Sequence, residues 1–282
     1  ARVAVNHIWM RHFGRPLVES VFDFGRSGKK PTLPRLLDWL AVELMEHNWS
    51  MKHIHRLIVT SNTYQLGSRP GSASHPNFAI DKDNRLWWKF DRRRLEAEVI
   101  RDSMLAASGQ LDRTIGGPEI AATSEASSLR RSLYFTIYPE AGGAMQFMTL
   151  FDPPDPGDCY RRTDSIVPQQ ALAMSNSRLA INQGRLLAGA MVKKLASADN
   201  VDDDFVIGLF EQVLSRQPTR EEAEVCREFL AKQRQLYELA DPEELAAAAP
   251  QGSVAPAQDA GQRARESLAR TLLNHNDFIT IH

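Results

Sequence analysis

The fold class is indicated by residues 32–44, Thr-Leu-Pro-Arg-Leu-Leu-Asp-Trp-Leu-Ala-Val-Glu-Leu. Leucines recur there at positions 33, 36, 37, 40 and 44, the spacing that places apolar side chains on one face of an α-helix. Pro34 suits the first turn of such a helix, and Thr32 is the expected N-cap because its hydroxyl can accept from a free backbone N–H. The sequence therefore predicts an amphipathic helix that packs through its leucine face.

The same periodicity recurs on both sides of this stretch. A helix is predicted over residues 1–13, in which Val5, Ile8, Trp9 and Phe13 share one face. Further helices are predicted at 51–61, 91–109, 168–174, 177–197, 203–215, 219–239 and 263–275. This succession predicts a mainly α fold that resembles a helical bundle.

Two segments interrupt the helical pattern. Residues 110–167 are rich in glycine and proline and contain one strand candidate, residues 133–138, Leu-Tyr-Phe-Thr-Ile-Tyr. Residues 240–262 are rich in alanine, proline and glutamine, which predicts a mobile insertion. We therefore expect a single domain over 1–282 that is helical over 1–109, rich in loops over 110–167 and helical again over 168–282, with at most a short β hairpin.

Composition excludes several classes of protein. Hydrophobic residues make up 43% of the 282 positions and charged residues 24%, which is typical of a globular protein. A net charge of −1 argues against a nucleic-acid partner, and the sequence has no apolar run of about 18 residues, the length that would predict a membrane span. Cys159 and Cys226 permit one disulfide at most. The chain opens inside a predicted helix, so we expect a C-terminal piece of a longer protein.

A first candidate site lies on the predicted helix 91–109. Its charged residues fall on one stripe between apolar positions: Arg94, Glu98, Arg101 and Asp102. Charges placed among apolar side chains need partners, and Arg2 and Asn6 on the predicted first helix are the expected ones. The stripe is interpreted either as an acid–base or polar-substrate site or, as we favour, as a structural ion-pair network.

A second candidate site lies in the loop that begins at Phe151. Asp152, Asp155 and Asp158 are spaced by three, and their carboxylates are hard oxygen ligands of the kind that calcium or magnesium prefers. The spacing departs from that of an EF-hand loop. Turns in which aspartate side chains bond to their own backbone are the favoured alternative.

The residues after this loop predict an anion site at the start of the helix that follows Val167. The first turn of a helix has free N–H groups, and nearby arginines would add positive charge. The residues of this site would be Arg161, Arg162, Thr163, Gln169 and Gln170. The equally favoured alternative is an arginine pair that bridges to Asp152 or Asp164. The sequence has no P-loop, GxSxG or HExxH motif, so we expect no cofactor in this domain.

Eight segments, in order, resemble the C-terminal domain of unknown function of planctomycete cytochrome-type multidomain proteins. They are residues 6–18, 23–28, 31–41, 49–64, 93–102, 130–134, 151–155 together with 169–172, and 272–278. Where relatives commonly read Asn-Arg near the start, this chain reads Asn6-His7. The resemblance covers nearly the whole chain.

The resemblance implies a setting but no reaction. Similar domains follow a partner domain, often with a haem-binding cytochrome c segment upstream, in proteins thought to be exported. It therefore implies an extracytoplasmic location, upstream domains of the same polypeptide as partners, and haem only in an upstream domain. It assigns no catalytic residue.

These observations lead to three hypotheses of function. The first, which we favour, is a non-catalytic module of an exported, redox-linked protein that binds a protein, a polysaccharide or a small anionic ligand. Its pocket would contain Arg2, Asn6, Glu98, Arg101, Asp102 and the loop from Asp152 to Gln170. The second is a hydrolase, directed at a polysaccharide, with Glu98 or Asp102 as general acid and Asp152 as its partner. The third is a calcium-stabilised scaffold around Asp152, Asp155 and Asp158.

Overall fold

The computed structural model describes residues 1–69, 71, 75–138, 140, 143–157, 162, 165–195, 200–240 and 252–281. These residues contain twelve α-helices and one sheet of two short strands, which confirms the predicted mainly α fold. Contacts between Cα atoms divide the chain into a first unit, residues 1–93 with 280–282, and a second unit, residues 94–279. The predicted single domain over 1–282 stays a prediction.

The first unit contains three main helices and one short helix. They are α1 (Arg2–Phe13), α2 (Pro34–Glu46), α3 (Met51–Val59) and α4 (Asn77–Ile80). Its core is formed by Val5, Ile8, Trp9, Phe13, Leu17, Val18, Leu37, Leu40, Leu44, Ile54, Ile58, Trp87 and Phe90. The four apolar residues predicted to share one face of α1 are all in this core, so that prediction is confirmed.

The start of α2 differs from its prediction. The helix begins at Pro34 as expected, but its N-cap is Leu33 and no side chain caps it. Thr32 instead donates its backbone N–H to the carbonyl of Leu17 at 2.9 Å, so the predicted cap is wrong. At α3, Ser50 provides the cap by accepting the N–H of His53.

The second unit holds the remaining helices. They are α5 (Ala97–Ala107), α6 (Gln146–Thr149), α7 (Pro168–Asn176), α8 (Arg178–Lys194), α9 (Val201–Leu214), α10 (Arg220–Leu239), α11 (Ala260–Leu273) and α12 (Asn276–Ile279). Helices α8 and α11 approach closely because Gly184 has no side chain, and a Cβ there would lie 3.2 Å from the backbone nitrogen of Arg270. The buried Cys226 on α10 carries a free thiol, while Cys159 lies outside the described residues. None of the described helices is both long and apolar enough to cross a membrane.

Three predicted elements are corrected. The helix predicted over 91–109 begins only at Ala97, because Arg93–Arg94 forms strand β1, which pairs with β2 (Thr280–Ile281) instead of a neighbouring hairpin strand. The predicted strand 133–138 is wrong: Ser132–Tyr134 is a 3₁₀ turn, and Phe135 forms only an isolated bridge to Ile120. The carboxylate of Asp102 accepts the N–H of Ser132, which stabilises this turn.

The predicted insertion over 240–262 is also revised. Residues 241–251 lie outside the described residues, but α11 begins at Ala260 with Asp259 as its cap, so 260–262 are helical. The N–H of Val254 donates to the side-chain oxygen of Asn182 on α8 at 2.7 Å. This part of the segment is therefore joined to the helical core.

An ion pair beside the capping box of α10 predicts a pH dependence. Hydrogen bonds of 2.7 and 2.8 Å from Arg216 lower the pKa of Glu222 from its ordinary 4.5 to about 2. Because the folded pKa is the lower one, this pair stabilises the fold above pH 4.5, and its contribution is lost as the pH falls toward about 2. In urea denaturation we expect the difference between wild type and Glu222→Gln to disappear over this interval. The exposed neighbour variant Glu221→Gln is the control and should follow wild type; a constant difference for Glu222→Gln would contradict the assignment.

Candidate functional site

Arg101 is the most deeply buried charge of the predicted stripe. Its side chain is 1% exposed and projects from α5 into the second unit. Its guanidinium donates to the carbonyl of Ser128 at 2.7 Å, the carbonyl of Arg130 at 3.0 Å and the hydroxyl of Ser132 at 3.3 Å. It also lies 4.9 Å from the centre of the Phe135 ring, within range of a cation–π contact. Arg101 thus ties α5 to the segment 128–135.

Asp102 completes this contact. Its carboxylate accepts the backbone N–H of Ser132 at 2.9 Å and its hydroxyl at 2.7 Å, and it lies 3.3 Å from the Arg101 guanidinium. The Asp102 carboxylate is thus hydrogen-bonded within a network that also provides a partner for the backbone N–H of Ser132. They support the interpretation of the stripe as a structural ion-pair network.

A second network surrounds Asp152, whose backbone φ of 55° is left-handed. Arg94, which precedes α5, donates to its carboxylate at 2.6 Å, and Ser165 donates both its N–H and its hydroxyl at 2.8 Å. Burial raises the pKa of Asp152, but the bonds from Ser165 and the charge of Arg94 outweigh it and lower the pKa overall. Asp152 is therefore charged, and its bonds to Arg94 and Ser165 stabilise the loop.

Arg162 and Gln170 hold the same loop from other sides. Arg162 donates to Glu98 at 2.6 and 3.4 Å, whereas Asp152 is held by Arg94 and Ser165. The other members of the predicted arginine bridge, Arg161 and Asp164, lie outside the described residues. The buried amide of Gln170 donates to the carbonyls of Leu150 and Ser165, both at 3.0 Å. Both side chains predicted to bind an anion are thus used to order the loop.

The two residues expected from α1 have partners in the first unit. Asn6 is buried, and its amide accepts the N–H of Val18 at 2.8 Å and donates to its carbonyl at 3.1 Å. Arg2 has a 61% exposed side chain that pairs with Asp38 at 2.6 Å. The predicted pairing of Arg2 and Asn6 with the charged stripe is therefore corrected.

One of the aspartates whose spacing suggested a calcium site forms a local turn. The carboxylate of Asp155 accepts the N–H of Gly157 at 2.7 Å, which is an aspartate turn. Asp152 is held by Arg94 and Ser165, as described above. The remaining predicted site residues of this loop, Asp158, Arg161 and Thr163, lie outside the described residues, as does Asp164.

The three carboxylates proposed for a hydrolase are all engaged. Glu98 is bonded to Arg162, Asp102 to Ser132 and Arg101, and Asp152 to Arg94 and Ser165. The geometry therefore favours a structural role for these groups.

A cavity in the second unit borders the Arg101 network. Its volume of about 950 Å³ is within the usual range of ligand pockets. Much of its wall is apolar: Leu105, Leu129, Phe147, Leu150, Leu172 and Leu186. Its polar groups are Arg101, Glu125, Gln169, Arg178, Asn182 and Gln183. Of the predicted site residues, Arg101 and Gln169 line this cavity.

The comparison with known families places the chain. The family model described as PSD1, a protein of unknown function (DUF1553), matches residues 1–230. The chain belongs to this family. This confirms the resemblance to a domain of unknown function. Searches of curated proteins and of solved structures gave no significant match.

In this PSD1-family protein, the cavity contains a half-buried carboxyl, that of Glu125, which the sequence analysis missed. Burial raises the pKa of Glu125 and outweighs the hydrogen bond from the N–H of Phe147 and the charges of Arg101 and Arg178. No sequence pattern identifies Glu125, because its burial depends on α6 lying against it. Arg178 was missed as well; its sequence signal is its position next to Ser177, which caps α8.

Proposed function

We propose that this PSD1-family protein is a binding module whose second unit holds a small ligand with an apolar body and one anionic group. The single observation that carries the proposal is the cavity of about 950 Å³ with mostly apolar walls and a few polar groups. Sites for small molecules have this composition, because apolar surface supplies affinity and a few polar groups fix orientation.

The charges in the cavity support an anionic group on the ligand. Arg101 and Arg178 both line the cavity, whereas Glu125 is the acidic residue there. Because burial raises the pKa of Glu125, the positive charges outweigh the negative one increasingly as the pH falls. Arg101 is already bonded to carbonyls of the protein, so Arg178 is the residue we assign to the ligand's anionic group.

The ligand body would lie against aliphatic side chains. Leu129, Leu150 and Leu172 line the cavity and are themselves partly exposed to solvent, so an apolar ligand would cover surface that water now contacts. Such walls fit an alkyl or fused-ring body better than a hydrated sugar chain. We therefore favour the small anionic ligand over the polysaccharide, and a binding role over a catalytic one.

The resemblance adds a proposal about setting. We propose that the protein works outside the cytoplasm, in a longer polypeptide of planctomycete cytochrome type whose upstream domains carry haem. Detection of the native protein in extracytoplasmic fractions tests this proposal; its recovery with cytoplasmic proteins alone would oppose it.

The cavity can be tested by filling it. Ala126 lines the cavity and is exposed, so Ala126→Trp introduces bulk there without displacing core residues. We expect this variant to bind a fluorescent polyunsaturated fatty acid at least about tenfold more weakly than wild type, a loss of about 1.4 kcal/mol, because the indole occupies space that the ligand body needs. Fluorescence titration measures the effect.

The matched control is Ala121→Trp, at another exposed alanine of the same segment that does not line the cavity. It should bind like wild type. Arg178→Gln should remove the preference for the fatty acid over its methyl ester. Equal binding by Ala126→Trp and wild type, or the absence of saturable binding by wild type, would refute the proposed function.

A further inference from the structure

Three side chains with metal-ligand chemistry converge where α2 meets α3 in the first unit. Glu43 lies in the last turn of α2, His47 caps the end of that helix, and His53 lies in the first turn of α3. The Glu43 carboxylate oxygen Oε2 is 2.9 Å from His53 Nε2 and 3.4 Å from His47 Nδ1. Within the described part of the chain, this is the one group of three such residues whose ligand atoms all lie within 4.8 Å of one another.

The backbone positions these groups through a tight turn. Asn48 and Trp49 have φ of 53° and 57°, the left-handed region that non-glycine residues rarely adopt. Hydrogen bonds from the Trp49 N–H to Leu44 and from the Ser50 N–H to His47, of 2.8 and 3.0 Å, close the turn. The chain thereby reverses direction and brings His53 next to Glu43.

The side chains are held in place as well. The two imidazole rings are stacked, with centroids 3.7 Å apart and an angle of 12° between their planes. Leu44 and Ile54, each adjacent in sequence to a ligand residue, are buried in the core. The backbone of the three residues is thus held in place. Because the lone pair of an imidazole nitrogen lies in the plane of its ring, one of the two stacked rings must rotate before both bind the same ion.

We propose that Glu43, His47 and His53 form a binding site for a divalent transition-metal ion of the zinc type. Imidazole nitrogen and carboxylate oxygen are zinc ligands at about 2.0–2.2 Å, which sets tetrahedral ligand atoms about 3.3–3.6 Å apart. The separation of 3.4 Å between Glu43 and His47 lies within this range, and the 2.9 Å between Glu43 and His53 is shorter. Side-chain exposures of 22% for Glu43, 47% for His47 and 26% for His53 leave the site open to solvent, so a water molecule can take the fourth position.

Binding requires a particular tautomer of His47. Its Nδ1 lies 3.0 Å from the Glu43 carbonyl as well as 3.4 Å from the carboxylate, contacts in which Nδ1 carries the proton. When Nδ1 binds a metal ion, the proton of the neutral ring is on Nε2 instead. On metal binding, the hydrogen bonds from His47 Nδ1 to Glu43 are therefore replaced by a bond to the ion, and only these side chains rearrange.

The sequence signal of this site is Glu43-x₃-His47-x₅-His53. The first two residues share a helix face at i and i+4, and the third follows the turn. A search for pairs of histidines on a single helix does not find this site, because Glu43 and His47 lie at the end of α2 and His53 lies on α3.

The test is a calorimetric titration of the full chain, freed of metal with a chelator, with Zn²⁺. We expect one ion per chain. Glu43→Gln, His47→Gln and His53→Gln, which retain hydrogen-bonding groups, should each weaken binding about 100-fold or more, since changes that merely reorient ligands already cost about 10–100-fold. With Co²⁺ in place of Zn²⁺, wild type should show the visible absorption of a tetrahedral site and His53→Gln should not.

Matched controls lie on the same two helices. Glu46→Gln removes an exposed carboxylate near the end of α2, and His55→Ala removes a histidine of α3 that contacts His12 at 2.7 Å. Both should bind Zn²⁺ like wild type, and circular dichroism should show unchanged helix content in all variants. No saturable binding by wild type, unchanged binding by all three ligand variants, or loss of the ion in His55→Ala would each overturn the site.

Discussion

Replacing Arg101 with alanine should lower the free energy of unfolding of the second unit by about 3–5 kcal/mol, the cost of breaking a buried ionic network by removing one partner. The guanidinium is buried and donates to the carbonyls of Ser128 and Arg130. Alanine would remove this donor from both carbonyls and the opposite charge from the Asp102 carboxylate, which would keep only its hydrogen bonds from Ser132. Chemical denaturation followed by circular dichroism measures the change.

Two further variants sharpen this prediction. Arg101→Lys should recover only part of the loss, because an ammonium cannot reproduce the planar arrangement of donors that reaches four separate acceptors. Arg113→Ala, at an exposed arginine of the same unit, should change stability by less than about 0.5 kcal/mol. If Arg101→Ala were as stable as Arg113→Ala, the network would not have the structural role assigned to it.

Removal of the Asp152 side chain should lower the free energy of unfolding of the second unit by about 3 kcal/mol. This value is near the lower limit for breaking a buried ion pair, because Asp152 and its partner Arg94 are both partly exposed. Arg94 would lose the carboxylate that pairs with it at 2.6 Å, and Ser165 would lose its acceptor. In addition, alanine tolerates the left-handed φ of 55° poorly. Asp152→Ala can be compared with wild type by urea denaturation.

Asp152→Asn separates the two causes. Asparagine accepts hydrogen bonds from Ser165 and tolerates a left-handed backbone, but it has no charge for Arg94. We expect a loss between those of wild type and Asp152→Ala at neutral pH. Because the folded pKa of Asp152 is lowered, the difference between Asn and wild type should shrink as the pH falls below the ordinary aspartate range. Equal stability of all three proteins at neutral pH would contradict the ion pair.

Local features were predictable because their causes are local. The buried face of α1 and the leucine face of α2 follow from helical periodicity. The errors occurred where distant contacts decide the outcome. Residues 133–138 have strand-forming side chains, yet Asp102, 30 positions before Ser132, holds that residue in a 3₁₀ turn.

The candidate sites show the same division. Sequence analysis identified Glu98, Arg101 and Asp102 as charges among apolar positions and Asp152 as a candidate metal ligand or turn residue of a loop. The structure gives the charged stripe other partners than the predicted Arg2 and Asn6. Glu125 and the Glu43, His47 and His53 group have no contiguous motif, since they are completed by α6 and by a turn between two helices.

The sequence by itself determined the mainly α fold, the positions of most helices and the charged stripe of α5 that includes the buried Arg101, because periodicity and capping act over a few residues. Only the tertiary structure decided which charges pair, where the cavity lies and which histidines meet. These features depend on how helices that are far apart in the chain pack against one another. Packing decides how much water each charged group loses and which partners it contacts, and these two factors determine the energetic cost of burying it.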